Sequence, residues 1–217
     1  MKTTNKIISI IVFSIFMYSH SIASAGPNIS FRGTISGIPD ISSSKVNLYS
    51  CYGSDLLLVE SAPLDDEGGF VLNPFIPKTK GLYKVGFDKE NASYIVLSDQ
   101  EKVVTVTADY EGLISGNIFV NSSKENDAYR SLIGKLDLYQ DKMEEIINLK
   151  DSISPIDPFF ASKTKDYENR ANFLVQELNV ELLQIQQACS DTFIADTLIN
   201  LCLMPRLLDH AELNETY

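Results

Sequence analysis

The stretch Ser61-Ala-Pro-Leu-Asp-Asp-Glu-Gly-Gly-Phe-Val-Leu72 sets three acids and two glycines between apolar runs. Read as a calcium loop of the helix-flanked type, it needs oxygen ligands at alternating positions and a closing glutamate at position 12. Asp65, Asp66 and Glu67 are consecutive instead, and the twelfth residue from Asp65 is Ile76, so the metal reading fails. A turn asks for less: Asp66 to bond nearby backbone and Gly68 or Gly69 to take a positive φ. With "LLLVESA" before it and "FVL" after it, the stretch predicts a hairpin turn between two strands.

Its surroundings repeat that style. From Asn28 to about Val120 short strand-like runs alternate with turn residues: "ISFRGTIS", "KVNLYSC", "LLLVESA", "GFVL", "LYKVGF", "SYIVL", "KVVTVTA" and "LISGNIFV", with "DYEG" between the last two. Val104 and Val106 alternate with Thr105 and Thr107, the period of a half-buried strand. Many short runs at close spacing predict a small antiparallel sandwich or barrel.

At Asn121 the period changes. Tyr129, Leu132, Leu136, Tyr139, Met143 and Ile146 recur in steps of three and four, one apolar face of an amphipathic helix that Ser122 or Ser123 would cap. "SPIDPFF", with Pro155 and Pro158, breaks it. A second helix is expected over 161–188, carrying Tyr167, Ala171, Leu174, Leu178 and Ile185. A third, "FIADTLINLCLM", starts from a cap at Ser190 or Asp191 and ends at Pro205. The expected fold is therefore α+β: an antiparallel β-sandwich or barrel-like domain over 26–121, then an all-helical segment of about three helices over 122–217.

Residues 1–25 read as a secretory signal rather than part of the fold. Lys2 and Lys6 precede the apolar "IISIIVFSIFMY", and Ala23-Ser24-Ala25 offers a cleavage site before Gly26. The apolar run is shorter than the roughly 20 residues of a membrane span, so no stable span is expected after cleavage; an uncleaved anchor is the alternative. The remaining chain carries 16 basic against 29 acidic residues, a net charge near −13, which repels phosphate backbones and argues against nucleic acid as a partner.

Cys51, Cys189 and Cys202 form an odd, widely spaced set, with neither a disulfide framework nor CxxC-type ligand spacing. A 189–202 bridge would be strained across the helical turn, so free thiols are expected. His20 lies in the signal, leaving His210 alone for any histidine-based zinc or triad chemistry. No P-loop and no GxGxxG occurs. The chain has no Trp to stack sugar rings, and among 29 acids no carboxylate pair stands out for glycosidase work. Asn28, Asn91, Asn121 and Asn214 begin N-x-Ser/Thr sequons that matter only in a eukaryotic secretory route. No catalytic, metal or cofactor-binding residue is assigned, and no cofactor is expected.

The order of motifs carries a resemblance. "GTISG", "VNLY", "VESAPLDDEGGFVL", "YIVLSDQEKVVTVTAD" and the join at Val120, Ser123, Glu125-Asn126 and Tyr129 resemble the N-terminal domain of unknown function in exported TlpA-like thiol-disulfide oxidoreductases of Gram-negative bacteria. In that family a strand-rich domain and a helical linker precede a thioredoxin-like domain with a catalytic CxxC. The resemblance covers roughly residues 29–130 well and the helices loosely. This sequence has no CxxC, so none of the family's catalytic residues carries over; the resemblance implies either the front part of a longer oxidoreductase, whose helical segment leads into a thioredoxin-like domain, or a stand-alone relative that lost the catalytic half.

The resemblance implies a non-catalytic accessory region in the periplasm or another extracytoplasmic space, positioning a redox domain or mediating homodimer or thiol-client contact. Leu132, Leu136, Tyr139 and Met143 form the candidate contact face, with intramolecular packing as the competing explanation. A stand-alone extracytoplasmic binding protein for glycan or peptide is the alternative function.

Overall fold

The computed structural model describes residues 29–41, 44–52, 55–75, 80–98 and 100–203. The signal-like segment, His210, Pro205 and the Asn28 and Asn214 sequons lie outside them. Eight strands come first: β1 (Ile29–Ser36), β2 (Lys45–Tyr52), β3 (Asp55–Pro63), β4 (Gly69–Phe75), β5 (Gly81–Gly86), β6 (Ala92–Leu97), β7 (Val103–Asp109) and β8 (Phe119–Asn121). They form two four-stranded sheets, ordered β4-β1-β7-β8 and β3-β2-β5-β6. Neither sheet closes into a barrel, and the arrangement is sandwich-like.

Alternation puts one face of each sheet inside. In β1, Ile29, Phe31 and Ile35 are buried while Arg32, Thr34 and Ser36 are exposed; in β7, Val104, Val106 and Ala108 are buried. These residues share one core with Val46 and Leu48 of β2, Leu72 of β4, Val85 of β5 and Ile95 and Leu97 of β6. Removing such side chains from water is the main favourable term holding the sheets. One pairing departs from the antiparallel rule: β1 runs parallel to β7, from Ser30 opposite Val103 to Ser36 opposite Asp109.

The acidic glycine stretch is a turn, but not of a paired hairpin. β3 pairs with β2, and β4 pairs with β1, so residues 64–68 carry the chain from one sheet to the other. The side chain that organises the turn is Asp65, not Asp66: its Oδ1 accepts from the Glu67 N–H at 3.0 Å and the Gly69 N–H at 2.7 Å. Gly68 takes φ +80°, and its carbonyl accepts from the Ile35 N–H.

A second correction concerns "LISGNIFV". Only Phe119–Asn121 is strand; Tyr110–Ser115 form a short helix, α1. Asp109 caps it by accepting from the Gly112 N–H, and Gly116 ends it at φ +84°. Leu113, read as a strand residue, points into the core from that helix.

Two long helices follow, α2 (Lys124–Asp151) and α3 (Phe160–Ala188), of 28 and 29 residues, each about 42 Å long at 1.5 Å per residue. Of the two capping serines, Ser123 is the one used: its Oγ accepts from the Asn126 N–H at 3.1 Å. The chain divides into two compact units between Tyr129 and Arg130, so the first turn of α2 belongs with the sheets.

In the helical unit, Lys135–Glu181 at 2.9 Å and Lys150–Glu168 at 3.1 Å register α2 against α3 in opposite directions. Leu132, Tyr139, Leu174, Val175, Leu178 and Leu182 are buried there, and the alternating three- and four-residue steps on α2 are those of a coiled-coil seam. A π-helical turn over Ile194–Leu198 continues into α4 (Ile199–Cys202). Near its start, Thr192 Oγ1 accepts from the Ala195 N–H at 3.1 Å.

Candidate functional site

None of the three cysteines is in a disulfide; Cys202 is buried, and Cys51 and Cys189 are half-buried. Burial pushes the Cys51 thiol up to about 11, with Lys84 pulling weakly the other way, and burial alone does the same to Cys202. A thiol at that value is about one ten-thousandth thiolate at neutral pH, too little to attack a disulfide at a useful rate. Among the described residues no group of three or more His, Cys, Asp or Glu side chains is placed to hold a metal ion, and no helix is long and apolar enough to cross a membrane.

The candidate contact face on α2 is largely covered. Leu132 and Tyr139 are buried, and Leu136 and Met143 are half-buried. Tyr139 lies beside Glu177 and Glu181 of α3; burial and these acids hold its phenol above the usual tyrosine value.

Exposed apolar surface lies elsewhere. The α2–α3 connection presents Ile156 at 91% exposure and Phe159 at 66%, with Phe160 beside them. Asp157 links this loop to the start of α3: its carboxylate accepts from the Phe159 N–H at 2.7 Å and pairs with Lys163 at 2.7 Å. Lys163 and the Phe159 N–H hold the Asp157 carboxyl below the usual carboxylate range. An open cleft of about 640 Å³ adjoins the loop, lined mostly by polar groups such as Ser152, Ser154, Asp157 and Tyr167. Sequence reasoning saw "SPIDPFF" only as a helix breaker; two phenylalanines between turn residues were the signal available.

The two edges of the β3-β2-β5-β6 sheet are treated differently. At β6, Asn126 of α2 stands in for a missing strand. Its Oδ1 accepts from the Val96 N–H at 2.8 Å, and its Nδ2 donates to the Val96 carbonyl at 2.8 Å. The same Nδ2 donates to Ser123 Oγ at 2.7 Å. The Ser93 hydroxyl donates to the Leu113 carbonyl of α1. At the opposite edge β3 pairs only with β2 among the described strands, and Leu57, Leu58 and Val59 are 56%, 59% and 42% exposed.

Comparison with protein-family models, with curated proteins and with solved structures gives no match. The residues quoted for the resemblance nevertheless have a definite physical place: Val120, Ser123 and Asn126 are buried and form the join between the sheets and α2.

Proposed function

We propose that this chain is a non-catalytic accessory region of an exported thiol-disulfide oxidoreductase, holding a thioredoxin-like domain in position or mediating dimer or client contact. The observation that carries the reading is the exposed apolar group Ile156, Phe159 and Phe160 at the connection between two long helices, surface suited to engaging another domain. Cys51 and Cys202, held protonated at neutral pH, suit a partner of redox chemistry better than its agent. Export rests on Lys2, Lys6, the apolar run and Ala23-Ser24-Ala25.

The test uses the purified chain in an insulin-reduction assay, alone and with a thioredoxin-like domain of an exported oxidoreductase, and measures association by calorimetry. The chain alone is expected to give no turnover and to bind the domain. The triple variant I156S/F159S/F160S weakens that binding about tenfold with an unchanged helical circular dichroism. Turnover by the chain alone, or no association with the domain, overturns the reading. The alternative, a stand-alone extracytoplasmic binding protein, is favoured by one observation, the open β3 edge, which suits a peptide backbone rather than a glycan.

A further inference from the structure

We propose that the outer edge of β3 is a strand-acceptor site for an extended, basic-and-apolar peptide segment of a partner protein. The argument rests on the sheet edge and does not depend on the oxidoreductase reading.

A strand paired on one side leaves every second N–H and C=O pointing away from its neighbour, and a free edge is a template for another chain. Proteins blunt such edges with charged side chains, prolines or bulges, with very short strands, or by covering them. This molecule uses two of these devices on two of its other edges, β8 and β6. β8 has only three residues, and β6 is covered by Asn126 and α1. β3 is neither short nor, among the described strands, paired on its outer side; its devices are a bulge and the acids Asp55 and Glu60. It is nine residues long, and its exposed middle is Leu57-Leu58-Val59. One irregularity re-aims it: Leu48 faces Glu60 and Tyr49 faces Leu58, so Val59 is the extra residue of a bulge. An incoming strand therefore has a regular register along Asp55–Leu58 before the bend.

Charge selects the occupant. From Val46 to Pro77 the sequence contains no Lys, Arg or His, while Asp55, Glu60, Asp65, Asp66 and Glu67 lie on β3 and the turn after it. In an antiparallel pairing of two copies of β3 about Leu57 and Leu58, Asp55 of one copy would face Glu60 of the other. Like charges directly opposite are destabilising. An extended segment with an apolar centre and flanking Lys or Arg meets both the apolar middle and the acidic ends. Main-chain hydrogen bonds give such a complex its affinity, and side chains give its specificity.

The test uses the full chain and three blocked peptides. The first alternates Val and Thr between pairs of Lys. The second replaces the Lys with Glu. The third keeps the first sequence but is N-methylated at alternate residues. Binding is read by calorimetry and located by amide hydrogen exchange. The Lys-flanked peptide is expected to bind at least about tenfold more tightly than either other peptide and to slow exchange within residues 55–62. The double variant D55N/E60Q, with unchanged thermal unfolding, weakens it and flattens its salt dependence.

Equal affinity for the N-methylated peptide overturns strand pairing. No binding, or protection confined to residues 153–160, overturns the site. A dimer that Leu58→Lys dissolves, with no peptide bound, assigns the edge to a second copy and overturns the proposal. None of these outcomes bears on association with a thioredoxin-like domain, so the two readings fail separately.

Discussion

Asn126 holds Val96 by both of its main-chain groups, N–H to Oδ1 and carbonyl to Nδ2, each at 2.8 Å. A carboxamide offers one donor and one acceptor side by side, the same pair that a neighbouring strand would present. Asp would put a second acceptor against the Val96 carbonyl, and Ala would leave both groups buried without a partner. Asn126→Ala is therefore expected to cost about 2–4 kcal/mol, read as a lower urea midpoint with an unchanged slope. Asn126→Asp should lose a comparable amount at neutral pH. Wild-type stability in either variant would show that the contact does not hold the edge.

Two glycines with similar backbone angles separate strain from space. Gly37 and Gly68 have φ +70° and +80°, but a Cβ on Gly37 meets nothing within 4 Å, whereas one on Gly68 falls 2.0 Å from the Ile35 carbonyl oxygen. Gly37→Ala is expected to cost about 1 kcal/mol, the backbone penalty alone. Gly68→Ala must cost clearly more, because the β1 backbone has to move. Thermal unfolding of both variants checks the order.

Both Glu101 carboxylate oxygens are sealed from solvent without a hydrogen bond of full geometry. Burial pushes the carboxyl above the usual glutamate value; the Ser123 hydroxyl and Glu125 N–H oppose the push, while the Glu125 and Asp127 charges add to it. In the window between the unfolded value, about 4.3, and the raised folded one, the folded state binds more protons than the unfolded state. Stability from this group therefore falls as pH rises through that window, and the penalty is complete above it. Glu101→Gln should stabilise the protein at pH 7, and the gain should shrink towards pH 4. Chemical unfolding of both proteins across that range tests it, and a gain that grows on acidification would reverse the assignment.

Thiols held near 11 should react slowly. Cys51 and Cys202 are expected to resist iodoacetamide at pH 7 in the native protein and to react promptly in urea. Their native rates rise steeply above pH 9. Mass spectrometry of the labelled peptides checks each site, and rapid native labelling of either at pH 7 would remove the argument against redox catalysis.

The strands and helices were legible because their signals are local. Alternation at Val104 and Val106 marks β7, and the steps from Tyr129 to Ile146 mark α2. Strand partnership was not legible, since nothing in "LLLVESA" or "GFVL" says that the turn between them crosses from one sheet to the other. The α1 helix was missed because its evidence is two caps, Asp109 and Gly116, around a run apolar enough to pass as a strand. The candidate surfaces were less legible still. An exposed Leu57-Leu58-Val59 reads as core in a sequence, and only the sheet order shows that its strand lies at an edge.

The parallel pairing of β1 with β7 also sets an order of assembly. The sheet β3-β2-β5-β6 is built from residues 45–97 with neighbours close in the chain. β1, synthesised first, cannot complete its own sheet until Val103–Asp109 has emerged to lie beside it. Closing so long a loop is slow. Until then one side of an otherwise finished strand stays exposed, so a nascent chain passes through an interval in which its first strand offers an unpaired edge.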